Sequence, residues 1–309
     1  MKEYLLNVED EHEGERIDRF IALALQEFSR TYIQKLIAEG NIFVNDKACK
    51  ASLKVKSLDT IKVIAPDAVI PDILPVNIPL NILYEDNDVL VVNKPKNMVV
   101  HPAPGHFDDT LVNAVMYHCK DNLSGINGIM RPGIVHRIDK DTTGSLIICK
   151  NDFAHEDIAR QLKEHSIKRE YVAIVSGVIT EAFGTIDKPI GRDKDDRRKM
   201  SVNTLPAKSA VTHYEVLERF RDFTLVKCRL ETGRTHQIRV HMASIGHPVA
   251  GDEIYGSKQK TPINTYGQAL HAQILGFIHP VTKEYVETNA PLPDYFEKFL
   301  KILRSGSGV

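Results

Sequence analysis

Apolar residues recur at helical spacing near the start of the chain. Ile17, Phe20, Ile21, Ala24, Leu25 and Phe28 fall on one face, which predicts an amphipathic helix over residues 16–28. Ser29 suits the N-cap of a second helix bearing Ile33, Leu36 and Ile37, and Gly40 stands where a C-terminal stop belongs. The period then changes. IFVNDKA reads as a strand running into an Asn-Asp turn, and DTIKVIA as a further strand. This pattern is a small helix–helix–strand module within residues 1–74, its core at about 14–65.

The segment APDAVIPDILPVNIPLN has no helical period, and Pro66, Pro71, Pro75 and Pro79 make it stiff and extended, as a linker would be. A second domain, residues 75–309, takes shape near Ile82. ILYEDNDVLVVNKP predicts a hairpin turning at Asp86–Asp88, and SLIICK, EYVAIVSG, SAVTHYEVLE and FTLVKCRLE predict strands. Helices are expected at 109–119, 153–165 and 235–245. Strands outnumber helices and do not alternate with them strictly. The fold class is therefore α+β on a mixed, mostly antiparallel sheet.

Composition narrows the function less than pattern does. The chain has 309 residues, which fits two domains, and a net charge of −1. Binding to nucleic acid has to come from local basic patches, not from bulk charge. In the first module Arg30, Lys35 and Lys47 lie among Arg16, Arg19, Lys50, Lys54 and Lys56. On charge alone they read equally well as a solvated face. Cys49, Cys119, Cys149 and Cys228 form no CxxC pair, which speaks against a zinc site or a disulfide framework. The acidic N-terminus is no signal peptide and no apolar run spans a membrane. A cytoplasmic protein is expected, with a monomer as the default.

Two charged constellations lie among apolar segments. In RPGIVHRIDKDTTGSLIICK, residues 131–150, the turn HRIDKDTTG places His136, Arg137, Asp139, Lys140 and Asp141 at the edge of a core. Charge there is costly unless it is paired or used. A charged surface loop is the plainer reading, and the spacing matches no standard metal-ligand pattern. In LETGRTHQIRVHMASIG, residues 230–246, Thr235 could cap a helix on which His236 and Arg239 share a face, with Arg234 just ahead of it. His236 and His241 could equally be packing residues. KREYVAIVSG brings Tyr171 into a strand.

Together these motifs resemble the RluA-type family of pseudouridine synthases, most closely its branch of the ribosomal large subunit pseudouridine synthase D type. HRIDKDTTG resembles the family's catalytic loop, Arg169–Tyr171 its K/RxY strand, and LETGRTHQIRVH its LxTGRxHQIRxH motif. VVNKPKNMVVHP, HPVAGDEIYG and QALHAQILGFIHPVTKEYVETNAPLP also fit, and the first module resembles an S4 RNA-binding domain. The departures are mild. Thr143 replaces the usual serine and keeps its hydroxyl, and Asn97 stands where glycine is frequent, being the non-glycine residue best able to adopt positive φ.

The resemblance implies isomerisation of uridine to pseudouridine in RNA, with large-subunit ribosomal RNA or a ribosomal precursor as the partner. It implies that Asp139 is the essential carboxylate, that Arg234 is the cation paired with it, and that Tyr171 packs on the target base. Arg137 is implied as a wedge or phosphate ligand when the uridine is flipped out. The run from Arg192 to Lys199, including Arg197, would add phosphate contacts unless it is simply a solvated loop. The redox-neutral reaction implies no metal and no cofactor. Two other readings compete. A nucleoside hydrolase would want two carboxylates, for which Asp141 could serve beside Asp139. A non-catalytic RNA-binding protein would need the first module alone.

Overall fold

The computed structural model describes residues 2–25, 28, 30–66, 73–103, 105–120, 123, 133–196, 198–202, 204–256 and 260–306. Ser29, expected as an N-cap, and Arg197 lie outside the described residues. The chain divides into two compact units, one within Met1–Asp72 and the other within Ile73–Leu123 and Pro132–Val309.

In the first unit the elements are β1 (Lys2–Asn7), α1 (Ile17–Ala24), α2 (Arg30–Ala38), β2 (Ile42–Val44), β3 (Lys47–Ala48) and β4 (Thr60–Ala65). The sheet order is β1-β4-β2-β3. Ile17, Phe20 and Ile21 of α1 pack with Ile33, Leu36 and Ile37 of α2 over Ile42, Ile61 and Val63 of the sheet. Asn45 and Asp46 take φ of 48° and 64°, the paired left-handed values of a tight hairpin turn. Two expectations need correction. The first helix is shorter than 16–28, closing where the Leu25 N–H donates to the Ile21 carbonyl. β1 is an unexpected strand, because KEYLLN buries only alternate positions in part and gains its ladder from β4, more than 50 residues away.

The second unit contains β5 (Ile82–Glu85), β6 (Val89–Lys94), α3 (Leu111–Cys119), β7 (Thr143–Cys149), α4 (Asp152–Lys163) and β8 (Lys168–Ser176). It continues with β9 (Phe183–Asp187), β10 (Ile190–Arg192), β11 (Met200–Ser201), β12 (Ala207–Lys208), β13 (Val211–Arg219) and β14 (Phe223–Leu230). It closes with α5 (Gln237–Ser244), β15 (Leu270–Ile278), β16 (Tyr285–Asn289) and α6 (Asp294–Arg304). The main sheet runs β5-β6-β7-β15-β8-β14-β13-β9, with β16 beside β15, and β10 to β12 form a separate small sheet. Its ladders are antiparallel except for β7 with β15, which is parallel. This is the mixed α+β sheet expected from the sequence.

The central strands are buried on both faces. Leu146 and Ile148 of β7 join the core under α3, while Ile147 and Cys149 face α4. That explains why SLIICK reads as an unbroken apolar run. Thr110 caps α3 in a reciprocal pair with Asn113, and Asn151 caps α4. The segment expected to be a free linker is in part docked. Ile73, Ile78 and Leu80 pack on the main core, and the Asn113 side chain donates to the Leu74 carbonyl, so residues 73 and 74 belong with this unit. Among the described residues no helix is long and apolar enough to cross a membrane.

Candidate active site

The loop HRIDKDTTG leads into β7, in the middle of the main sheet. Gly144 adopts φ +111°, and a Cβ there would come within 2.2 Å of the Ala272 carbonyl oxygen, so only glycine lets β7 approach β15 this closely. The neighbouring Thr143 hydroxyl bonds His271 Nδ1 at 2.8 Å, the use to which the hydroxyl retained there is put. Gln268 donates to the Thr142 hydroxyl, and the Thr142 N–H closes a turn onto the Asp139 carbonyl. Asn97 takes φ 61° in the turn after β6.

Lys94, at the end of β6, has a wholly buried side chain whose ammonium donates to the carbonyls of Pro95, Met98 and Lys140 at 2.8 to 2.9 Å. It thus fastens the loop one residue from Asp139. Burial pushes this lysine down to about 7, against the pull of Asp141 and Asp139. Sequence reasoning missed its part. The only signal was its place in VVNKPKNMVVHP.

Asp139 Oδ2 accepts a hydrogen bond from Arg239 Nη1 at 2.9 Å. Arg239 in turn grips Asp252 through Nε at 2.6 Å and Nη2 at 2.9 Å. One guanidinium therefore lies between two carboxylates, with side-chain exposures of 17% for Asp139, 5% for Arg239 and none for Asp252. Burial opposes the charge on Arg239, but its bonds to Asp252 and the charges of both aspartates outweigh it and hold the guanidinium above its ordinary range. Burial likewise raises Asp252, and Arg239 more than offsets it, leaving that carboxyl below the usual range. Oδ1 of Asp252 also accepts the N–H groups of Ile254 and Tyr255.

The expectation that Arg234 pairs with Asp139 is therefore corrected. Arg234 Nε donates to the Ser209 carbonyl, and its backbone N–H donates to Gln237 Oε1. The physical reason is where α5 begins. Thr235 does not cap it; His236 is the N-cap, at φ 57° with no side-chain cap bond, so the helix starts at Gln237 and its first turn aims Arg239 at the loop. Gln237 anchors that turn through Thr232, Val211 and Thr212. His241 is the packing residue, bonded to Thr212 and the Lys188 carbonyl. His236 is not: its Nε2 stands 3.9 Å from Asp139 Oδ1 and its Nδ1 2.9 Å from the Tyr255 hydroxyl.

A cavity of about 500 Å³ opens over these groups, lined by Asp139, Arg137, Tyr171, Arg234, His236 and Arg239. That is a usual size for a small-ligand site. Tyr171 is buried, and burial pushes its phenol up, so it stays protonated. Arg137 is exposed at the rim, shared with an adjoining cavity of about 400 Å³. Burial and the charge of Arg169 push His136 down to about 3. The resulting neutral ring accepts the Ile147 N–H and supports the loop from behind.

The other expected RNA-contact residues are spread over both units. In the first unit Arg30 Nε is committed to the buried Asp18, which Arg16 and Gln34 also contact. Lys35 lies 3.7 Å from Glu39, and Lys47 is exposed on β3. In the second unit Arg192 is exposed at the end of β10. The basic run beyond it is less basic than it reads, because Asp196 pairs with Arg198. Asp86, Asp88 and His279 converge as metal ligands might. However, His279 Nδ1 accepts two backbone N–H groups and Nε2 faces Asp86 at 2.8 Å, so the trio is a hairpin brace with no imidazole nitrogen to spare.

The main sheet thus presents one semi-exposed carboxylate, held by a buried arginine beside a cavity, and similarity to known proteins says to which class the chain belongs. The family model described as RNA pseudouridylate synthase matches residues 88–244, and that of the S4 domain matches 15–61. The uncharacterised RNA pseudouridine synthase YlyB of Bacillus subtilis (strain 168) is 54% identical over 98% of this chain and 99% of its own. Ribosomal large subunit pseudouridine synthase D of Zymomonas mobilis is 45% identical over 94% of each chain. The structure of human RNA pseudouridylate synthase domain containing 1 superposes with a TM-score of 0.56 at 28% identity, over 74% of this chain and 95% of that one. The chain belongs to the RNA pseudouridine synthase family and carries an S4 domain; it is an isomerase that acts on RNA.

Proposed function

We propose that this enzyme isomerises uridines of large-subunit ribosomal RNA, with Asp139 as the essential carboxylate acting on a flipped-out nucleotide. The observation that carries the catalytic assignment is the asymmetry of Asp139. Its Oδ2 is tied to Arg239, whereas Oδ1 accepts no hydrogen bond among the described residues, and the residue lines the cavity that Tyr171 also lines. The reaction breaks the N1–C1′ bond, turns the uracil and joins C5 to C1′. The proton lost from C5 is matched by one gained at N1, so nothing is consumed. Oδ1 acts either by attack at C1′ or by removing the 2′ proton, and both need the same ionised oxygen in the same place. Tyr171 supplies a ring face for the base and a polar tip near its C5.

A uridine stacked in a helix cannot reach this cavity. Flipping it out costs on the order of a few kcal/mol, least for a loop nucleotide. Arg137 and Arg234, at the rim, are placed to hold the displaced strand. The ribosomal assignment is supported by relatives such as the Zymomonas protein. Asp139→Asn, nearly isosteric but uncharged, is expected to abolish single-turnover conversion while keeping RNA affinity and fold. A variant that converts RNA near the wild-type rate would sink the assignment. Mapping pseudouridines in total RNA with and without the protein identifies the substrate.

A further inference from the structure

His236 sits in the left-handed region at φ 57°, where a side chain of this kind stays only when its surroundings fix it. Tyr255 does the fixing. The Met200 backbone N–H donates to the Tyr255 hydroxyl oxygen at 2.7 Å, and that hydroxyl lies 2.9 Å from His236 Nδ1. The two rings meet edge to face, with centroids 5.6 Å apart. The hydroxyl has one proton to give, and among the described residues its one acceptor is His236 Nδ1. Assigning that proton to Nδ1, the arrangement that satisfies the hydroxyl as a donor, leaves Nδ1 bare and puts the proton of the neutral ring on Nε2. Burial favours that neutral ring, more strongly than Asp139 opposes it. The result is an N–H fixed in direction on the side of Asp139.

Nε2 and Asp139 Oδ1 are 3.9 Å apart, too far for a direct hydrogen bond. The gap suits one oxygen within about 2.8 Å of each. Such an oxygen must accept from Nε2 and donate to the carboxylate, so it belongs to a water or to a substrate hydroxyl that displaces it. In an internal uridine of RNA the 3′ and 5′ oxygens are esterified, and the uracil has carbonyls and an N–H but no single atom that does both. The 2′-hydroxyl is the one group that qualifies, and it adjoins C1′, where the reaction occurs.

We propose that His236 Nε2–H and Asp139 Oδ1 together hold the ribose 2′-hydroxyl of the target nucleotide, making His236 the residue by which the site selects ribose over deoxyribose. The proposal rests on Asp139 being the reacting carboxylate. Tyr255 is a positioning residue that acts by fixing which nitrogen of His236 carries the proton.

The test compares two otherwise identical RNA stem–loops, one with the target uridine and one with a single 2′-deoxyuridine in its place. The single-turnover rate and the dissociation constant are read for each. Wild type is expected to favour the ribose target by about tenfold or more, the size of one net hydrogen bond. In His236→Phe that preference should collapse towards one, through loss on the ribose target alone, while His236→Gln, which keeps an N–H donor, should retain part of it. Tyr255→Phe keeps the ring that packs by Arg239 and should lower the preference by freeing the tautomer, which covers the case of a His236→Phe protein that does not fold. If wild type shows no preference, or if the variants lose equally on both substrates, the proposal is overturned. Failure of wild type, or full activity of Asp139→Asn, on the ribose target would instead overturn the reading on which it rests.

Discussion

Arg239→Met should damage both the fold and the chemistry, and the two effects can be separated. The substitution preserves approximate bulk but leaves Asp252, with no exposed side-chain surface, facing two backbone N–H groups and no counter-charge. Breaking a buried ion pair from one side costs about 3–5 kcal/mol. For a unit of this size each kcal/mol lowers Tm by about 2–4 °C, so a fall of roughly 6–20 °C is expected by calorimetry. Arg239 now keeps Asp252 below its ordinary range. That pair's stability is present above the unfolded carboxyl value of about 3.9 and is lost as pH falls through the folded value. Without Arg239 burial is opposed only by the two backbone N–H bonds, the folded carboxyl rises, and the variant loses stability as pH climbs past about 4. The Tm gap to wild type should thus be wide at pH 7 and narrow towards pH 4. Adding Asp252→Leu should recover much of the Tm without recovering activity, because Asp139 still lacks its partner. An Arg239→Met protein with wild-type Tm and wild-type single-turnover rate would refute the assignment. Arg234→Ala is the control: half-buried and bonded to one carbonyl, it should change Tm little and weaken RNA binding instead.

Lys94→Met would leave three carbonyls without their buried donor and let the loop drift, so a loss of several °C in Tm and a lowered single-turnover rate are expected, the RNA dissociation constant changing least. Gly144→Ala should yield little folded protein in a solubility and calorimetry assay, since its Cβ would overlap the Ala272 carbonyl. Deleting residues 1–72 should leave the second unit folded and weaken RNA binding. In a log–log salt titration the slope should flatten by about 0.7–0.9 for each phosphate no longer neutralised. EDTA should leave the conversion rate unchanged when the RNA fold is kept with monovalent salt.

Much of the fold could be read locally. The apolar periods of α1 and α2 and the Asp86 turn all depend on neighbours a few residues apart. β1, β15, β16 and α6 escape a local reading, because partners distant in sequence decide them. β15 takes its place by pairing with β7 and β8. Motif resemblance pointed to Asp139 but chose Arg234, the wrong one of the two arginines of GRTHQIR, as its partner, since spacing gives candidates and not directions. The left-handed turn at His236 decides, by delaying the helix to Gln237. Asp252 and Tyr255 carried only the faint signal of HPVAGDEIYG, and their use appears only where α5 faces the turn that follows it.

Why Arg239 is shared between two aspartates follows from what each requires. Asp252 takes two of its nitrogens and is wholly buried, so it determines where the guanidinium lies. Asp139 receives one remaining N–H, on one oxygen. A bidentate pair with Asp139 would have occupied both oxygens and spread the neutralising charge over the group proposed to react. A single contact orients the carboxylate and leaves Oδ1 with its charge in a cavity that is partly sheltered from water. Two carboxylates on one cation also keep the cluster at one net negative charge, so Asp139 is not cancelled by its own support. That balance needs Asp252 as much as Arg239. Asp252→Asn is therefore expected to lower turnover without touching substrate, by letting Arg239 swing towards both oxygens of Asp139. A rate for Asp252→Asn equal to wild type, at equal Tm, would show that Asp139 alone sets the position of the arginine.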